Sequence, residues 1–401
     1  MNPTARRISG YPMRYDWGDL HALHDFCGTP ADGEPLAEIW YGTHRGGPSQ
    51  LEDGTLLEDV VAPRGKGAHV DGFPYLAKLI APAKPLSIQV HPSIEEAEAG
   101  FDRENKLGIP LNSPDRVFVD RNHKPEMLLA LTPWRTLVGF APEQELIRFN
   151  EEVSTPLSLH IAKLIREQGL ERPAASALRD GLKPPIEHVE EYARRCGELA
   201  RHSDPAIAKR AGMLEFVHSF FPGQSSLLVA ALMNIVDLEP GQALFTPSGT
   251  IHSYLSGVGF EVMSSSANTI RAGLTSKHVD VEGLLSTANL RSSTPTLVEP
   301  VEHSECGGSV LTYQPDVEDF RLDVSDASER GLRGAASADT VIVAIDGNGF
   351  VDQQPFARGN AMWIPANGEF ELRGTVKVAV VSIAKAPVKW SFIPSCATAT
   401  A

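Results

Sequence analysis

The stretch Leu86-Ser87-Ile88-Gln89-Val90-His91-Pro92 alternates apolar and polar positions. Read with the two-residue period of a strand, Leu86, Ile88 and Val90 share one face, and Ser87, Gln89 and His91 share the other. An oily face backed by a polar one suits a barrel strand that packs on one side and looks into a cavity on the other. Strand and loop texture, rich in Gly, Pro, aromatic and β-branched residues, runs from residue 1 to about residue 140. It predicts strands from Phe73 to Ile80 and from Glu126 to Leu131, the latter opened by Pro125 and closed by Thr132-Pro133. One short helix is expected here, capped by Ser93, running from Ile94 and ending at Gly100.

From Pro142 to about Met233 the pattern changes to charged, Ala- and Leu-rich segments. Apolar residues recur at helical spacing, as in Leu157, Ile161, Leu164 and Ile165 and again in Ile186, Val189, Ala193 and Cys196. Asp204-Pro205 reads as an N-cap followed by proline at the first helical position. These stripes predict a helical insertion whose apolar faces pack on one another. Strand texture resumes at Asn234 and persists to about residue 389. Within it, Gly241-Gln242-Ala243-Leu244-Phe245-Thr246-Pro247 is echoed by Gly359-Asn360-Ala361-Met362-Trp363-Ile364-Pro365. Two copies of one β-unit point to a pair of jelly rolls. The first copy continues to His252 and the second to Phe370, so only the first keeps a histidine. The expected architecture is mainly β: a jelly-roll domain from residues 1–141 and 234–300, a helical insertion over 142–233, and a second roll over 301–395 without metal ligands.

Length and charge narrow the function. A chain of 401 residues is long enough for two or three domains, each with its own core. A formal charge of −15 disfavours nucleic acid and anionic membrane surfaces, which leaves a small diffusing substrate as the expected partner. Cys27, Cys196, Cys306 and Cys396 form neither a disulfide framework nor a CxxC pattern, which points to a reducing, cytoplasmic compartment. No run approaches the ~20 apolar residues of a membrane span, and the first residues carry no apolar signal core.

Three separated pieces place ligand-type side chains at strand ends: Gln89 with His91, Glu126 after His123-Lys124-Pro125, and His252 after Pro247-Ser248-Gly249. A jelly roll can gather such distant strands around one cavity, giving two imidazoles, one carboxylate and one amide carbonyl. That set suits zinc or another divalent first-row ion and lacks the thiolates of a closed structural site. One carboxylate among neutral ligands leaves net positive charge at the ion, able to polarise a carbonyl or stabilise an enediolate. Of the thirteen histidines, His21, His24, His44, His69, His160, His188, His202, His218, His278 and His303 are read as structural.

Several blocks resemble the type I mannose-6-phosphate isomerases, zinc enzymes of the cupin superfamily. The resemblance rests on Tyr15-Asp16-Trp17-Gly18, Ala37 to His44, Ala83 to Pro92, Asn122 to Glu126, Pro247 to Gly257 and Arg271 to Lys277. It implies one Zn2+ per chain held by Gln89, His91, Glu126 and His252, and Arg271 as the catalytic arginine. Lys84, His123 and Lys124 then match catalytic positions, and Ser87, Lys277 and Lys84 substrate-contacting ones. It further implies aldose–ketose isomerisation of mannose 6-phosphate to fructose 6-phosphate through a cis-enediol, in a monomer. The sequence departs from the family pattern at Ala267, where the family commonly has an acid four residues before the arginine, and at Ser276, where it has proline. Two other readings stay open: an isomerase for a different aldose or ketose, and a non-catalytic, metal-containing sugar-binding cupin, which Ala267 alone favours.

Overall fold

The computed structural model describes residues 5–61, 72–180, 184–275, 279–305, 308–327 and 331–393. Among these residues the strands form four sheets, and helices gather between Glu143 and Leu232. The mainly β architecture with inserted helices therefore holds.

Two sheets build the first roll. In a seven-stranded sheet, Glu126–Ala130 lies between Ala243–Thr246 and Gly259–Ser264; in a five-stranded sheet, Ile88–Val90 lies between Ile270–Gly273 and His252–Ser256. Each of these pairings is antiparallel. The alternation around Gln89 acts as expected. Ile88 and Val90 are fully buried in a core they share with the insertion helices, each contributing about 1.5–3 kcal/mol, which turns Gln89 the other way.

The helices follow their caps. Asp204 Oδ1 accepts from the Ala206 and Ile207 amides and starts Pro205–Phe220, while Thr155 and Ser158 form a reciprocal box at the head of Pro156–Gln168. Ser93 and Glu96 do the same for Ile94–Lys106, which runs past Gly100 instead of ending there. A Cβ at Gly100 would lie 2.5 Å from the Phe118 ring, so this glycine serves close packing rather than termination. Ile186 is a second departure: it opens the helix Ile186–Leu199 but stays 57% exposed.

The C-terminal roll consists of an eight-stranded and a five-stranded sheet. Its larger sheet includes Arg6–Ser9, which pairs with Ala361–Ile364 on one side and Gln50–Leu51 on the other. Residues 6–9, expected with the first roll, thus belong by hydrogen bonding to the second. The sequence echo is structural. Gly241 and Gly359 both have positive φ (92° and 79°), and strands begin at Ala243 and Ala361. The following turns place Gly249 and Asn367 in the same left-handed region, and asparagine is among the few side chains that accept it. Carried forward, the correspondence sets His252 against Phe370, which is buried and meets the Trp390 ring edge-on at 5.6 Å.

Candidate metal centre and surrounding pocket

Sheet register assembles the site. His252 lies directly opposite Gln89 on one side, and Arg271 opposite Gln89 on the other. Glu126 comes from the facing sheet, paired with Thr246 and Met263. The Gly249 amide donates to the His91 carbonyl at 2.9 Å, so the loop that delivers His252 hangs on the strand that delivers His91.

The side chains converge. His91 Nε2 lies 3.2 Å from Glu126 Oε1, and His252 Nε2 lies 3.3 Å from Glu126 Oε2. The ligand atoms of these three buried residues all lie within 4.8 Å of one another. Gln89 Nε2 is 3.4 Å from His252 Nε2, and a half-turn of the amide presents its carbonyl instead. Each imidazole is oriented from behind, His91 Nδ1 by the Asn268 carbonyl at 2.8 Å and His252 Nδ1 by the Thr250 carbonyl at 2.9 Å. A proton on each Nδ1 leaves both Nε2 lone pairs aimed at one point beside a carboxylate, the arrangement a divalent cation needs. Burial, with Lys124 nearby, pushes the His91 imidazole down to about 4 and keeps it neutral. Burial opposes ionisation of Glu126, but Lys124 and the two imidazoles outweigh it and hold the carboxyl well below the usual carboxylate range.

A cavity of about 330 Å³ opens over these residues. Tyr15, Trp17 and Trp40 form an aromatic part of its wall, Ser87, Lys84, Lys124 and Arg271 supply polar and cationic groups, and Phe221 reaches in from the insertion. Lys124 Nζ donates to Glu126 Oε1 at 2.9 Å, and Lys84 Nζ to Asp16 at 2.8 Å. Burial lowers the Arg271 pKa, with Tyr15 opposing the shift. Ala267 also lines the cavity, and its amide donates to Asp120 at 2.9 Å.

Lys277 lies outside the described residues. His123 does not face the cavity: its Nε2–H donates to Asp319 Oδ2 at 2.6 Å, while Lys124 beside it lines the cavity.

A charged network was not read from the sequence. Lys78 Nζ lies 2.7 Å from Glu261 and 3.4 Å from Glu38, and the Tyr254 hydroxyl donates to Glu261 at 2.8 Å and sits 3.4 Å from Glu126. Trp40 Nε1–H donates to Glu38 at 2.8 Å. Burial works against the Lys78 charge, yet Glu261, Glu38 and Glu126 override it and raise its pKa. Burial raises the Glu261 pKa, aided by Glu126 and Glu38 and opposed by Lys78. The available signal was a single lysine or glutamate inside an apolar strand, as in Tyr75–Ile80 and Gly259–Ser264. Lys78→Met is expected to lower stability by about 3–5 kcal/mol, since it strands two buried carboxylates. Urea unfolding measures this, and an unchanged midpoint with unchanged slope would show that the network carries no such load.

Known proteins bear on this geometry. Residues 7–143 match the model of the phosphomannose isomerase type I catalytic domain. The mannose-6-phosphate isomerase of Escherichia coli K12 is 29% identical over 380 residues, covering 88% of this chain and 93% of the relative. The human enzyme of that name is 26% identical over 418 residues, covering 93% and 96%. A solved zinc-bound mannose 6-phosphate isomerase superposes with a TM-score of 0.83 at 26% identity, over 95% of this chain and 99% of the other. The strands, the helical region and the buried His91–Glu126–His252 cluster are thus arranged as in a solved zinc-bound mannose 6-phosphate isomerase, and residues 7–143 are similar to the catalytic domain of the type I phosphomannose isomerases.

Proposed function

We propose that the protein is a zinc-dependent aldose–ketose isomerase that interconverts mannose 6-phosphate and fructose 6-phosphate. The observation that carries this reading is the buried convergence of His91, Glu126 and His252, of which Glu126, together with Gln89, lines a cavity that also carries Lys84, Lys124 and Arg271. With Gln89 they would hold the ion, and bound zinc would supply a Lewis acid for the sugar's C1 and C2 oxygens.

The chain's own groups do the rest. Arg271, paired beside Gln89, offers a guanidinium to the negative charge that develops as the C2 proton leaves. Lys124, 2.9 Å from Glu126, is placed to move a proton between the neighbouring carbons or to hold the adjacent oxygen. Ser87, Lys84 and, beyond the described residues, Lys277 are assigned to the sugar and its dianionic phosphate. The aromatic wall of Tyr15, Trp17 and Trp40 gives the sugar ring an apolar face and keeps bulk water from the reacting carbons. The reading implies a monomer acting in the cytoplasm; among the described residues no helix is long and apolar enough to cross a membrane.

The test is a coupled assay for mannose 6-phosphate conversion before chelation, after chelation and after zinc is restored. Turnover lost to the chelator and regained with zinc supports reaction and metal together. The absence of an acid at Ala267 favours a second reading, a sugar-binding cupin or an isomerase for another sugar. Stoichiometric zinc with no turnover would support it, and an active Ala267→Asp variant would then identify the missing group.

A further inference from the structure

We propose that Asp319, in the C-terminal roll, is a positioning residue that aims Lys124 into the cavity. The inference rests on the isomerase reading for its catalytic consequence. Asp319 Oδ2 accepts two hydrogen bonds from the first roll, from His123 Nε2 at 2.6 Å and from Ser264 Oγ at 2.8 Å. These donors flank Glu126. His123 precedes it in the chain, and fully buried Ser264 ends the strand Gly259–Ser264, whose Met263 pairs with Glu126. The Ser264 amide also donates to the Pro125 carbonyl at 3.1 Å, which ties the two segments where they leave the sheet. On the other side of His123, the Asn122 side chain donates to the Ser265 carbonyl at 3.1 Å.

These hydrogen bonds hold Asn122 and Pro125, while the direction taken at His123 is set by Asp319. Adjacent side chains at 123 and 124 leave the chain on different sides. Pinning His123 outward presents Lys124 inward, where Nζ reaches Glu126 Oε1 at 2.9 Å and stands 3.5 Å from His91 Nε2. Misplacing such a group by ~1 Å is enough to cost up to about a hundredfold in rate. The C-terminal roll thereby contributes to the site held by the first roll.

The experiment compares wild type with Asp319→Ala, His123→Ala, the double variant and Asp319→Glu. Steady-state kinetics, zinc stoichiometry and the rate at which acetic anhydride labels Lys124, followed by peptide mass spectrometry, are measured on each. Each alanine variant is expected to lose about tenfold in kcat, with KM changed less than about twofold and zinc retained. The double variant should fall no further than the singles, because one pin is removed in either case. Asp319→Glu should recover kcat above Asp319→Ala, and Lys124, 8% exposed in the native fold, should label several-fold faster in both alanine variants. The proposal is overturned by wild-type kcat in Asp319→Ala, by multiplicative losses in the double variant, or by a native Lys124 labelling rate in both single variants. A loss in His123→Ala far exceeding that in Asp319→Ala also overturns it, since His123 would then act directly. If wild type shows no isomerase turnover, the isomerase reading fails alone and the labelling rates still decide whether the pin exists.

Discussion

Glu126→Ala is expected to lose zinc and turnover together. Glu126 is 2% exposed and joins His91, His252, Lys124 and the Tyr254 hydroxyl in one buried cluster. Its removal deletes the negative charge that offsets a divalent ion and leaves Lys124 beside two imidazoles without a counter-charge. A Lewis acid contributes several kcal/mol to such chemistry, so kcat should fall by about a thousandfold or more. Glu126→Gln keeps the volume and the contact with Tyr254, and separates loss of charge from loss of fold. Elemental analysis after gel filtration should find near-stoichiometric zinc in wild type and little in either variant. A folded, zinc-replete Glu126→Ala would show that the ligands lie elsewhere.

Arg271→Ala has the next largest expected effect and the opposite metal signature. Its strand pairs with the Gln89 strand, but the guanidinium is a cavity-wall group outside the His91–Glu126–His252 cluster. Zinc content should be unchanged. If Arg271 meets charge that exists only as the enediolate develops, kcat should fall by about a hundredfold or more with a smaller change in KM. Near-native turnover would remove Arg271 from the charge-stabilising role, whereas a loss confined to KM would move it to ground-state binding.

The metal cluster was legible because strand periodicity is strict. Ile88 and Val90 flag the packed face, and Gln89 and His91 must then share the other, whatever the tertiary fold. His252 was legible for a different reason: the Gly-to-Pro echo marks where a strand and turn recur, and only one copy ends in a histidine. His123 shows where that reasoning stops. In the segment between Asn122 and Glu126, adjacent side chains point apart, and the Asp319 carboxylate, 196 residues away, holds His123 on the outer side. The Lys78–Glu261–Glu38 network was hidden likewise, because three isolated charges in apolar strands acquire meaning only when the strands pair. Lys78 stands opposite Glu261 on one side and Trp40 on the other, with Glu38 two residues from Trp40. Gly100 misled in the usual direction, since a glycine inside a helix reads as a stop unless the ring packed against it is known.

The placement of Arg6–Ser9 in the C-terminal sheet sets a waiting time during synthesis. Its neighbour Gln50–Leu51 is available early, but Ala361–Ile364 leaves the ribosome roughly 350 residues later, tens of seconds at about 5–20 residues per second. Through that interval one side of the strand is an unfilled edge, the kind of surface on which nascent chains pair wrongly. Arg6 and Arg7 put two positive charges on it, which repel a like strand from a neighbouring chain. When the proper partner arrives, both charges are put to use: Arg6 lies over the Trp363 ring at 5.5 Å and Arg7 donates to Asn360 at 3.2 Å. The guard against misassembly is thus converted into part of the seam that closes the fold.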